Sequence, residues 1–213
     1  MPVLTKNNIN VLLIRIPKTA STSLLKSFRE DGWEYIINGG HKTSSWHFNK
    51  VSKDKLHYCI SVVRDPVDRF TSLYRMVFHQ KKFNAKNINI NEFWNICKKF
   101  IPQDPYQQHW RSKNKIHFDN QNIIEYYLRP QTTFVRDLIA ESNLNTDIFI
   151  YEKLHFLNVY KKINSTLNIN LTQKHERNLS NVIDSKLCKI DNNIKTEIQN
   201  YYAEDYTLIN KFI

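Results

Sequence analysis

The chain has 213 residues, of which 41% are hydrophobic and 13% aromatic; this fits a single folded domain over residues 1–213 with a substantial core and excludes a disordered chain. Its formal net charge of +11, from 31 Lys and Arg against 20 Asp and Glu, calls for an anionic partner. The excess is spread out without a long basic run, which speaks against nucleic acid, and the spacing of Cys59, Cys97 and Cys188 makes neither a disulfide framework nor a zinc pair.

Val11 to Ile16 is an apolar, β-branched run broken only by Arg15, and reads as a core strand that Pro17 ends. Ser21, Thr22 and Ser23 then open a helix whose apolar face carries Leu24, Leu25 and Phe28. A strand feeding a helix start aims free N–H groups and the positive dipole end at one point, which suits a phosphate or a sulfate. Lys18 adds a mobile charge there, and the hydroxyls add donors. A Walker-type loop needs glycines, yet the only three, Gly32, Gly39 and Gly40, lie outside this turn.

Trp33 to Ile37 reads as a second strand, Asn38-Gly39-Gly40 as a turn, and His41 to His47 as a polar loop or the start of a short helix. Leu56 to Val63 is the strongest strand signal. Arg64 leaves it, Asp65 caps a helix with Pro66 in the first position, and Val67, Phe70, Leu73, Tyr74 and Val77 form a core-facing stripe. Ser72 lies about two turns in, on the face where Asp65 begins, so that Arg64 and Ser72 are suited to grip one phosphate. Residues 83–127 read as helical and irregular, with an amphipathic helix over 91–100. Asp147 to Tyr151 reads as a strand followed by a helix to about Leu167, and the tail as a helix through Ile194, Ile198, Tyr201 and Tyr202 with a second short one after it. No run reaches the roughly 18 apolar residues of a membrane span, and the N-terminal apolar run is too short for a signal peptide, so the expectation is a soluble, cytoplasmic protein without stable membrane insertion.

Pro17-Lys18-Thr19-Ala20-Ser21-Thr22-Ser23 resembles the 5′-phosphosulfate loop of sulfotransferases that use 3′-phosphoadenosine-5′-phosphosulfate (PAPS), and is most similar to the carbohydrate branch that includes the heparan sulfate 2-O-sulfotransferases. The run from Arg64 to Tyr74, R-D-P-x-x-R-x-x-S-x-Y, resembles the 3′-phosphate-binding segment of the same branch, in the same order. Shorter similarities lie at Gln107–Arg111 and Arg129–Phe134, segments that in relatives approach the acceptor and the sheet. Lys174–Ser180, with Arg177, falls where relatives place a loop over the 3′ end of the nucleotide.

The resemblance implies a three-layer α/β fold with a central, mainly parallel sheet between helices, P-loop-like in its first strand-turn-helix. It implies PAPS as donor, adenosine 3′,5′-bisphosphate as product, and a hydroxyl-bearing acceptor, with a saccharide favoured. Pro17 to Ser23 would then hold the 5′ phosphosulfate, with Lys18 on the leaving phosphate, and Arg64, Ser72 and Arg177 would hold the 3′ end. For the base, His41 comes first, as a histidine after the Gly-Gly turn where relatives often carry one; His47 is second, and Glu34 keeps open the glutamate that some relatives use. His109, beside Trp110, is an acceptor contact. No metal is called for. A non-catalytic basic module that binds polyanions, and a kinase-like enzyme using Lys18 on ATP, remain as alternatives.

Overall fold

The computed structural model describes residues 2–79, 88–99, 101–104, 106, 116–118, 121–123, 127–141, 143–151, 156–172 and 185–212. In chain order its elements are β1 (Pro2–Lys6), β2 (Ile9–Ile14), α1 (Ser21–Glu30), β3 (Glu34–Asn38), α2 (Ser44–Phe48), β4 (Tyr58–Val63), α3 (Pro66–His79), α4 (Ile90–Cys97), β5 (Ile116–Phe118), β6 (Gln121–Ile123), α5 (Thr132–Ala140), β7 (Thr146–Ile150), α6 (Phe156–Leu167), α7 (Asn192–Tyr201) and α8 (Ala203–Asn210). They fall into two compact units, one of residues 1–64, 131–176 and 209–213, the other of residues 65–130 and 177–208. Among the described residues no helix is long and apolar enough to cross a membrane.

The first unit is an α/β assembly on a five-stranded sheet in the order β3-β1-β2-β4-β7. β2, β4 and β7 pair in parallel, with Leu13 opposite Ile60 and Val62 opposite Phe149. Parallel strands are buried on both faces, which explains why β2 and β4 read as unbroken apolar runs. The side-chain period of two sends Val11, Leu13, Ile60, Val62 and Phe149 to one face, where Leu24, Leu25 and Phe28 of α1 and Val159, Tyr160 and Ile163 of α6 cover them. Leu12, Ile14, Cys59 and Val63, on the opposite face, are buried as well. Ser27 of α1 meets the Tyr160 hydroxyl of α6 at 2.9 Å, and Phe28 packs edge-on against Trp33 at 5.1 Å.

β1 is an element that the reading of the sequence did not anticipate. It pairs antiparallel with β2 through Asn7 and Asn8, both left-handed (φ 50 and 63), the backbone that a two-residue hairpin turn demands and that asparagine tolerates best after glycine. β3 pairs antiparallel with β1 in turn, so β3 runs in the same direction as β2, β4 and β7, and β1 alone is reversed. Four strands therefore deliver their C-terminal ends to one end of the sheet, the end at which open α/β sheets bind ligands.

In the second unit, Asp65 caps α3 as expected, its Oδ1 accepting from the Val67 and Asp68 amides at 2.8 and 3.0 Å. Phe70, Leu73, Tyr74 and Val77 of α3 pack with Phe93 and Trp94 of α4 and Ile194 and Ile198 of α7. α4 begins with a capping box between Asn89 and Glu92. Arg69 is buried. Its guanidinium donates to the Tyr127 and Arg129 carbonyls at 2.9 and 2.8 Å, and buried Asp205 supplies compensating charge. The irregular segment read as helical holds instead a short antiparallel hairpin, β5 with β6; strands of three residues carry too little alternation to be seen in a sequence. The segments around residues 107–111, 152–154 and 174–180 lie outside the described residues.

Candidate active site

Four residues emerge at the C-terminal ends of the four co-directed strands of the first unit: Lys18 after β2, His41 after β3, Arg64 after β4 and Tyr151 after β7. The turn after β2 has no glycine, yet it takes a glycine-like path. Lys18 and Ala20 are both left-handed, with φ of 68 and 60. Such a conformation costs roughly 1 kcal/mol or more for a residue with a Cβ. Two hydroxyls hold it in place: Thr19 Oγ1 and Ser21 Oγ both donate to the Ile16 carbonyl, at 3.1 and 3.0 Å, and both residues are buried. Loops with left-handed residues turn backbone amides toward a common concavity, as anion nests do.

Ala20 is the N-cap of α1 and brings no capping side chain, so the first-turn amides meet no side-chain acceptor from it. Thr19 and Ser21 thus have a structural task before any other, while exposed Thr22 and half-buried Ser23 are the hydroxyls nearer solvent. Thr22 Oγ1 accepts from the Arg15 guanidinium at 3.0 Å. Arg15 was not singled out in the sequence; it looked like an interruption of an apolar strand, and its tie to the helix start needs the turn to be folded.

Lys18 is half-buried and, among the described residues, makes no ion pair. Burial first, and the charge of Arg64 second, lower its pKa from 10.5 to about 8. Two cations from separate strand ends therefore lie within electrostatic reach of each other beside uncapped amides. That is an arrangement an anion stabilises.

His41 follows Gly40, whose φ of 56 turns the chain out of β3. Its Nδ1 lies 2.7 Å from the Arg15 carbonyl, and since a carbonyl only accepts, Nδ1 carries the proton and Nε2 is the basic nitrogen of the neutral ring. The other two candidates for the base are placed less well. His47, on α2, is 1% exposed, neither ring nitrogen has a partner among the described residues, and burial drops its pKa to about 4. Glu34 is exposed at the far end of β3, about 13 Å of strand away from the turn that carries His41.

Arg64 is held at both its backbone and its side chain. Its amide donates to Gln131 Oε1 at 2.8 Å and its carbonyl accepts from Gln131 Nε2 at 2.7 Å, while its guanidinium lies over the Tyr151 ring, 4.8 Å from the centroid. Ser72 lies half-buried on α3 in the second unit; Arg177 and His109 fall outside the described residues.

A family model described as the sulfotransferase family matches residues 2–210. No curated protein and no solved structure matches the chain. With nearly its whole length matched, and with a cation-bearing strand-turn-helix at the ligand-binding end of an α/β sheet, the chain belongs to the sulfotransferase family and is an enzyme of sulfuryl transfer to a hydroxyl-bearing acceptor.

Proposed function

We propose that this sulfotransferase takes its sulfuryl group from PAPS and delivers it to a saccharide hydroxyl, with residues 1–213 acting as a single catalytic domain. The observation that carries the reading is the pairing of Lys18 and Arg64, two cations from adjacent parallel strands whose charges disfavour each other until an anion joins them. A donor with a phosphosulfate at one end and a second phosphate at the other offers an anion to each of the two cations, as a singly phosphorylated one does not. PAPS supplies the activated sulfuryl group.

The residues divide the work. The amides from Lys18 to Thr22, with the Thr22 and Ser23 hydroxyls, hold the 5′ phosphosulfate; Pro17, Thr19, Ala20 and Ser21 fix the path of the loop that presents them. Arg64 holds the 3′ phosphate, since a guanidinium fork engages two oxygens at once; Ser72 and Arg177 join it by their places in the motifs alone. His41 Nε2 accepts the proton of the acceptor hydroxyl. Lys18 Nζ stabilises the electron pair left on the bridging oxygen as the bond from that oxygen to sulfur breaks and the bond from the acceptor oxygen to sulfur forms. A saccharide acceptor follows from the likeness of both motifs to the carbohydrate branch.

The test is transfer of radiolabelled sulfate from PAPS to a panel of a neutral oligosaccharide, a glycosaminoglycan oligosaccharide and a tyrosine peptide. Label on either sugar supports the reading. Label on the peptide alone replaces the acceptor class, and transfer supported by a donor lacking the 3′ phosphate as well as by PAPS removes the role of Arg64.

A further inference from the structure

We infer that Gln131 and Tyr151 are positioning residues that aim Arg64 and so set the selectivity of the enzyme for a 3′-phosphorylated nucleotide. The inference rests on the reading of Arg64 given above, and its own observations are these. The β4–β7 ladder ends at the Val63–Ile150 pair, with the Tyr151 amide donating to the Val63 carbonyl at 2.9 Å. Arg64 is the next residue, and its own amide and carbonyl are met by the Gln131 side chain, which accepts at 2.8 Å and donates at 2.7 Å. A primary carboxamide is the side-chain group able to answer a peptide in both directions at once; a carboxylate only accepts and an alkyl chain does neither.

Gln131 is fully buried, 0% exposed, and stands at the N-cap of α5, where a side chain ordinarily caps its own helix. Here it makes no such cap. Its carboxamide turns to Arg64 instead and extends the ladder by one residue beyond the last strand pair. Tyr151 then offers its ring to the guanidinium, 4.8 Å from carbon to centroid. Backbone and side chain of Arg64 are thus fixed from two elements, so the guanidinium is presented already oriented and little rotamer freedom remains to be lost when a phosphate arrives.

The test is calorimetric titration of the full chain with adenosine 3′,5′-bisphosphate and with 5′-AMP, which lacks the 3′ phosphate. Gln131→Met keeps the volume and removes both hydrogen bonds. It is expected to weaken bisphosphate binding about 10-fold while changing AMP binding less than about 2-fold. In the background of Arg64→Ala the same substitution is expected to add nothing, because Gln131 acts through Arg64. Tyr151→Leu is expected to give a smaller loss with the same selectivity, restored by Tyr151→Phe. It decides the matter should Gln131→Met fail to fold, which thermal melting reports. Equal losses for both ligands, or additivity with Arg64→Ala, overturn the inference while the reading of Arg64 stands. Wild-type protein binding both ligands alike overturns the two together.

Discussion

The two cation-bearing strand ends of the sheet solve one problem in opposite ways. After β2 the backbone itself is bent into a left-handed path at Lys18 and Ala20, and small hydroxyls folded onto the Ile16 carbonyl keep it there. After β4 the chain runs on without strain, and a distant side chain, Gln131, is brought in to serve as the missing strand. On the proposed reading, the first design offers amides to the group that must be held while bonds change, and the second offers a guanidinium to the group that is recognised and left unchanged. Chemistry and recognition would then rest on different physical means, and substitutions at the two ends should fail differently.

The largest expected effect is at the strained end. Lys18→Ala removes a charge whose contribution grows as the leaving phosphate develops its own, so kcat is expected to fall by about 10³-fold, with bisphosphate affinity reduced far less; single-turnover rates and titration together separate the two. A parallel fall in both would make Lys18 a binding residue like Arg64 and erase the contrast. His41→Ala is expected to lower kcat by about 10²-fold with little change in nucleotide affinity, and His47→Ala to leave the pH profile unaltered, because His47 is sealed from the acceptor.

The pKa of Lys18 links the two ends. With the group charged below about 8 and neutral above, kcat/KM for PAPS is expected to decline as pH rises through about 8. The alkaline limb should move upward in Arg64→Ala, since the charge of Arg64 is the second cause of the depression; a limb that stays put would show burial acting alone. The sign for stability is opposite. The unfolded chain keeps this proton up to about 10.5, so folding releases it, and Lys18 adds stability as pH rises from about 8 to 10.5. The smallest effect concerns the strain itself. Ala20→Gly is expected to stabilise the fold by about 1 kcal/mol, raising Tm by roughly 2–4 °C, because the φ of 60 carries no penalty in glycine.

How far the sequence disclosed this design follows from the range over which each feature is encoded. β2, β3, β4 and β7, the Asp65 cap and the core stripe of α3 are written in local periodicity, and they stand close to where that periodicity puts them. The boundaries move by a residue or two, as where β2 stops at Ile14 instead of Ile16, because Arg15 and Ile16 already belong to the turn. β1 escaped because an Asn-Asn hairpin is a weaker signal than Asn-Gly. The turn from Pro17 to Ser23 is legible as a motif, but the division of its hydroxyls is not: Thr19 and Ser21 point inward to the Ile16 carbonyl, a fact decided by three-dimensional closure. Likewise Gln131 gives no sign of its role in a sequence, since its partner is the backbone of Arg64, 67 positions earlier. His41 is singled out in the sequence by its turn and by the family resemblance; the carbonyl that meets its Nδ1 is not legible there.

The most direct measurement of the central claim is calorimetric titration of the wild-type chain with adenosine 3′,5′-bisphosphate, against ATP and AMP, beside Arg64→Ala. The bisphosphate should bind more tightly than either control, and the substitution should weaken it by about 10- to 100-fold, bringing it level with AMP. Equal binding of all three nucleotides by the wild type, or a bisphosphate affinity untouched by the loss of Arg64, would contradict it.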